Sequence, residues 1–289
     1  MNEIIDILPK YIEKDIAKFD SENDFMDAFV ELLKQTIELI WRIVGFKYCD
    51  IDGEPKVINK DEAVLAGNLT RLIKLNTSFL QNICESKLEI CYIINRCLAE
   101  TAVNLKYILI DGEERVKRNY IKNSLITEKE LWETILNNVR ERGGDILPIE
   151  KRMKESIKNS FDNSDFEIEE VNRSSKWKTI KGRAEVVAGE MFYSVYYGIS
   201  SHSIHGNWQD ILINNLQKVE NGFKLKLDWQ SPRPQIINGP IFLNLGIINQ
   251  FNDVELKNDP NYVIIQEKCK TLSDYHRILT QYHEKWISK

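Results

Sequence analysis

The chain has 289 residues, a hydrophobic fraction of 43%, a charged fraction of 29% and a formal net charge of −5. These totals exclude fibrous and disordered classes and suffice for one substantial core or two modest ones. The acidic balance argues against a protein that holds nucleic acid by overall charge, although a local basic stripe would still contact phosphates.

The start, MNEIIDILPKYIEKD, places acidic residues where a secretory leader needs a basic region and then an apolar run, so secretion is not expected. Apolar residues at three- and four-residue intervals predict a first long helix over 25–44, closed after Gly45 by the polar stretch KYCDIDGEPK. Helices over 61–83 and 88–110 follow, the second ending at Asp111-Gly112, where glycine suits a left-handed stop. Its window 90–110 is about as long as a membrane span, but Arg96, Glu100 and Lys106 interrupt it, so it reads as a buried helix and no membrane contact is expected.

Residues 113–142 read as two shorter helices hinged near Thr127, where Thr127 and Glu130 have the spacing of a capping box. Pro148 suits the first turn of a helix to about Phe161, followed by the polar loop DNSDFEIEEVNRSS. A long helix is predicted over 179–205, stopped at His205-Gly206, and Asn207 with Asp210 offers an N-cap for another through about Val219. FKLKLDW, residues 223–229, alternates as one short strand or extended strap, and helices over 240–254 and 272–286 close the chain. The expected fold is all-α, a multi-helix bundle. Residues 1–20 form an N-terminal extension and 21–289 a single helical domain, with a core bundle over about 25–220 and closing helices within 240–289. The five cysteines, three of them (Cys84, Cys91, Cys97) in helical pattern at no metal-ligand spacing, fit reduced core thiols and a cytoplasmic location.

Two helices carry the candidate chemistry. The stretch SVYYGISSHSIHGNW, residues 194–208, holds two of the chain's four histidines. On a helical wheel Glu190, Tyr193, Tyr197, Ser200, Ser201 and His205 share a side with few long charged residues, the composition of a packed, hydrogen-bonded face. His205 stands at the helix C-terminus, where unsatisfied carbonyls favour imidazolium, a property useful to a general acid and equally to a structural cap. His202 lies about 60 degrees round the wheel from His205, and which histidine is functional stays open. His202-x-x-His205 with Glu190 is too sparse for a metal site, and no metal is expected.

On the helix over 88–110, Arg96 and Glu100 sit four apart on an otherwise apolar segment. Burying a charge costs several kcal/mol unless it is paired. The pair therefore satisfies itself as an ordinary ion pair, or meets the polar side of the Tyr197 helix. Two basic runs, RVKRNYIK (115–122) and RSSKWKTIKGR (173–183), are either solvated faces or phosphate contacts. Gly-rich phosphate loops and nucleophile elbows are missing from the sequence, so neither ATP nor NAD nor any other cofactor is expected.

Arg96-x-x-x-Glu100, Trp177, Tyr193-x-x-x-Tyr197-x-x-Ser200 and His205-Gly206-x-Trp208 together resemble a prokaryotic domain-of-unknown-function family with Arg/Glu on one helix and Tyr, Ser and His-Gly on another. The resemblance spans roughly 25–219. In layout the chain also resembles the HEPN helical superfamily, many of whose members are metal-independent ribonucleases of toxin, CRISPR or phage-defence systems. Those enzymes use an arginine shortly before a histidine on one helix, whereas this chain has no arginine between Arg183 and Arg233. The resemblance implies His205 as general acid or base and Arg96 as the cation on the phosphorus oxygens. Glu100 would hold Arg96, Tyr197 and Ser201 would orient the histidine or bind phosphate, and a homodimer would form the site. Arg173, Lys176, Lys178, Lys181 and Arg183 would guide an RNA backbone. The expected function is therefore a metal-independent endoribonuclease or nucleotide-processing domain of a toxin or phage-defence type system. The alternative is a non-catalytic helical adaptor, with a protein partner encoded alongside, in which Arg96, Glu100, Tyr197 and His205 form a buried network.

Overall fold

The computed structural model describes residues 7–172, 176–189 and 203–289. They are mostly helical and fall into two compact units, one of Met1–Ile110 with Ile180–Lys289 and one of Asp111–Thr179.

In the first unit a short helix α1 (Glu13–Ile16) precedes α2 (Glu22–Tyr48). α2 starts one turn before the apolar period because Ser21 and Asp24 cap it reciprocally. Asp24 N donates to Ser21 Oγ at 3.2 Å, and Ser21 N donates to the Asp24 carboxylate at 3.1 Å. α3 (Lys60–Cys84) opens the same way, with Glu62 N donating to Asn59 Oδ1 at 2.9 Å. α4 (Leu88–Asp111) is tied at its first residue, where Leu88 N donates to the Gln230 carbonyl at 3.0 Å.

The second unit is built from α5 (Glu114–Glu141) and α6 (Pro148–Ser164), which pack on each other, with a 3-10 turn at Ile168–Glu170. Its core is Leu125, Ile135, Ile157, Phe161, Phe166 and Val171. α5 runs unbroken through Thr127, so the expected hinge does not exist. Ile121, Leu125, Trp132, Ile135 and Val139 keep one stripe on this core across the site of the expected break. A continuous stripe outweighs a capping pattern worth about 1 kcal/mol.

Back in the first unit, α7 spans Ile180–Ala188. The expected helix over 179–205 is thus not continuous. It stops at Gly189, whose φ of +81° is the left-handed region glycine enters without steric cost, with Gly189 N donating to the Glu185 carbonyl. The helix expected from Asn207 to Val219 is also corrected. A single turn, Trp208–Asp210, runs into a π-helical turn, Ile211–Asn215, and then into strand β1 (Leu216–Val219). β1 pairs antiparallel with β2 (Gly222–Leu225), Leu216 opposite Leu225 and Val219 opposite Gly222. The turn Glu220-Asn221 before Gly222 supplies the tight hairpin that ends helical continuation.

α8 (Gln235–Glu255) and α9 (Tyr262–Ile287) complete this unit, with α2, α8 and α9 packed on one another and α3 on α2. α8 begins before Pro240 rather than at it. The residue ahead of the proline is Gly239, which has no Cβ to clash with the ring, so the helix passes through. At the centre lies a polar knot. Asn76 and Asn244 exchange two amide hydrogen bonds, and Asn244 Nδ2 also donates to Thr36 Oγ1 at 3.0 Å.

Candidate functional site

Arg96 faces inward from α4, its side chain 11% exposed. The helix directs it there because Cys91, Asn95, Leu98, Ala99, Ala102 and Leu105 are buried around it. Its Nε donates to Glu100 Oε1 at 2.9 Å, one turn along the helix, and the Glu100 side chain is 43% exposed. The carboxylate therefore stands between a buried cation and water. The next residue, Thr101, accepts a hydrogen bond from Arg71 Nε of α3 at 3.1 Å and donates to the Cys97 carbonyl, which fixes the rotation of α4 against α3.

His205 is exposed at the end of a helical turn over 203–205. Gly206 follows with φ +53°, the left-handed stop expected of it. Asn207 caps the next turn, its Oδ1 accepting from Asp210 N at 3.1 Å, and Asp210 accepts from Asn214 Nδ2 at 2.8 Å. The Trp208 ring meets Phe223 of β2 edge-on at 5.8 Å, so the residues after the histidine are fastened to the hairpin. The π-helical turn has its free carbonyls satisfied from the strap. Lys226 Nζ and Gln230 Nε2 donate to the Ile213 carbonyl at 2.6 and 2.8 Å. Nothing in a local pattern marks Lys226, within the alternating 223–229, or Gln230 as donors, since their carbonyl lies thirteen and seventeen residues away.

Of the other expected site residues, Tyr197 and Ser201 lie outside the described residues, as do His202 and Glu190. In the basic run, Arg173 also lies outside them. Lys176, Lys178 and Lys181 are exposed, Lys181 lying 3.8 Å from the Glu185 carboxylate. Arg183 is buried, so it belongs to the packing of α7 and not to an open basic face. In the other run, Arg118 stacks over the Phe166 ring at 4.5 Å and Arg115 pairs with Glu113 at 3.0 Å. Trp177 meets the Tyr120 ring edge-on at 5.4 Å.

Among the described residues no group of three or more His, Cys, Asp or Glu side chains is placed to hold a metal ion. Nor is any helix among them long and apolar enough to cross a membrane. The arrangement defines an all-α protein with a buried, carboxylate-held arginine on one helix and an exposed histidine at the end of another. The chain belongs to a family of unknown function (DUF5677), whose model matches residues 62–223. That span contains Arg96, Glu100 and His205 together with the positions of Tyr197 and Ser201. Neither the curated proteins nor the solved structures compared include a match.

Proposed function

We propose that the protein is a HEPN-like, metal-independent endoribonuclease or nucleotide-processing protein of a toxin or phage-defence type system. The observation that carries this reading is Arg96, a guanidinium kept at low exposure on an apolar helix and oriented by Glu100. Positive charge shielded from water acts most strongly on charge that develops beside it, which is what a phosphoryl transition state needs. The exposed His205 is open to substrate. It would take the proton from a ribose 2′-hydroxyl, whose oxygen attacks phosphorus, or give a proton to the leaving 5′-oxygen. Arg96 would stabilise the phosphorus oxygens, with Tyr197 and Ser201 orienting the imidazole. Lys176, Lys178 and Lys181, all exposed, are the candidates for phosphate contact, and Arg183 is withdrawn from that role by its burial. A homodimer is supported by the apolar residues the hairpin region leaves exposed, namely Trp208, Phe223, Leu225, Leu227 and Trp229. We place this activity in the cytoplasm.

The test is incubation of the purified protein with a mixed RNA pool in EDTA, beside His205→Ala and Arg96→Ala, with melting temperatures taken in parallel. Cleavage by the wild type, reduced about 10²–10⁴-fold in folded variants, is expected. Intact RNA with the wild type, or undiminished cleavage by the variants, contradicts the proposal.

The low exposure of Arg96 also favours the second reading, a non-catalytic adaptor in which this pair is structural. Its mark is a large loss of thermal stability in Arg96→Ala together with one specific protein that co-purifies.

A further inference from the structure

We infer that the cleft bounded by α4, α8 and α9 is a binding site for a small organic anion carrying an apolar body, with Lys106 as its charge partner. The cleft has a volume of about 870 Å³, within the range of small-molecule sites. It lies within the first unit and is separate from Arg96, which stands ten residues away on α4, about 15 Å along the helix axis.

Lys106 is the residue that asks for a ligand. It is half-buried, and among the described residues its ammonium has no hydrogen-bond or ion-pair partner. Its Nζ reaches over α8 at Gly246, 3.8 Å from where a Cβ there would stand, so it lies against a helix surface that lacks a side chain. Burial alone pushes its pKa down. A cation held partly out of water without a counter-charge costs free energy, and an anion entering the cleft would recover it.

The rest of the lining fits that occupant. Lys270, at the mouth, adds a second ammonium, and the only carboxylate among the lining residues is the exposed Glu267. His276 adds no charge near neutral pH, because burial pushes its pKa down to about 4. Its Nε2 is 2.9 Å from Asn238 Oδ1, an acceptor, so Nε2 carries the proton and Nδ1 is left as an acceptor. Asn249 and Gln266 supply amide groups, and Phe242, 57% exposed, forms an apolar wall. A group of perturbed titratable residues in one cleft is a signature of binding or catalytic sites.

The test is isothermal titration with octanoate, octyl phosphate and 1-octanol at pH 7.5, on the wild type, Lys106→Met and Lys106→Arg. At least one of the two anions is expected to bind saturably with one site, and the pair together distinguishes a carboxylate head from a phosphate. Octanol should bind about tenfold more weakly or worse. Lys106→Met should lose about tenfold in anion affinity while its melting temperature is equal to or above that of the wild type, and Lys106→Arg should retain most of the affinity. The inference is overturned if neither anion saturates at several millimolar, roughly the affinity limit of a useful small-ligand site. It is equally overturned if octanol binds as well as the anions, or if Lys106→Met binds them as the wild type does.

Discussion

Asn76 of α3 and Asn244 of α8 face each other in the core and exchange amide hydrogen bonds of 2.9 and 3.1 Å, each side chain donating to the other. Both are fully buried, and Asn244 reaches on to Thr36 of α2, so three helices share one register. Removing one partner strands the other's polar atoms, whereas removing both leaves an apolar seam. Asn244→Leu is expected to cost about 2–3 kcal/mol, and Asn76→Leu/Asn244→Leu less than the sum of the single changes by about 1–2 kcal/mol. Urea denaturation of the four proteins measures this coupling.

The two histidines of α9 give the stability an acid-side dependence. His283 is fully buried among Phe25, Phe29 and Trp286, and among the described residues neither ring nitrogen has a hydrogen-bond partner. Burial pushes its pKa below the ordinary 6.5, and pushes that of His276 down to about 4. As pH falls below 6.5 the unfolded chain protonates both residues while the folded chain does not. Stability is therefore fully present above that pH and is lost on the way down, for His276 through about pH 4. The loss from His276 is on the order of 2–3 kcal/mol. Denaturation midpoints between pH 8 and 4.5 should fall for the wild type and fall less for His283→Phe.

Gly189 and Gly206 both hold left-handed backbone, and a Cβ at either would meet nothing within 4 Å. Substitution there is costly only through the backbone. Gly189→Ala and Gly206→Ala are each expected to cost about 1 kcal/mol, and Gly206→Asn less, since asparagine tolerates this region. Thermal melts rank the three.

The hairpin leaves Leu225 and Leu227 exposed. If this face joins two copies, Leu225→Glu/Leu227→Glu should halve the mass seen by light scattering. An unchanged mass, or a monomeric wild type, removes the hairpin from the interface.

Much of the fold was legible because buried stripes repeat at helical spacing. The helices ending near Tyr48, Cys84 and Asp111 all lay within a few residues of their expected limits. The failures come from local signals that compete. Packing on the α6 core kept α5 straight through Thr127, the neighbouring Gly239 carried α8 through its proline, and Gly189, inside an apolar period, ended α7 by its own left-handed backbone. β1 was hidden because LQKV pairs only through its partner GFKL. For the candidate site, the Arg96–Glu100 pair and the Gly206 stop could be read from spacing and residue type. The burial of Arg183 within a basic run could not, since charge gives no sign of which side of a helix packs inward. In the sequence Lys106 is only an interruption of an apolar window; its lack of a partner among the described residues is a three-dimensional fact.

The central claim is that Arg96 and His205 serve one reaction centre. Measuring kcat/KM for RNA cleavage in EDTA with Arg96→Lys, His205→Ala and the double variant tests it most directly, because residues acting as a unit do not contribute additively. The account predicts that the double variant is no slower than the slower single one. Losses that multiply, or a wild type with no cleavage to lose, would contradict it.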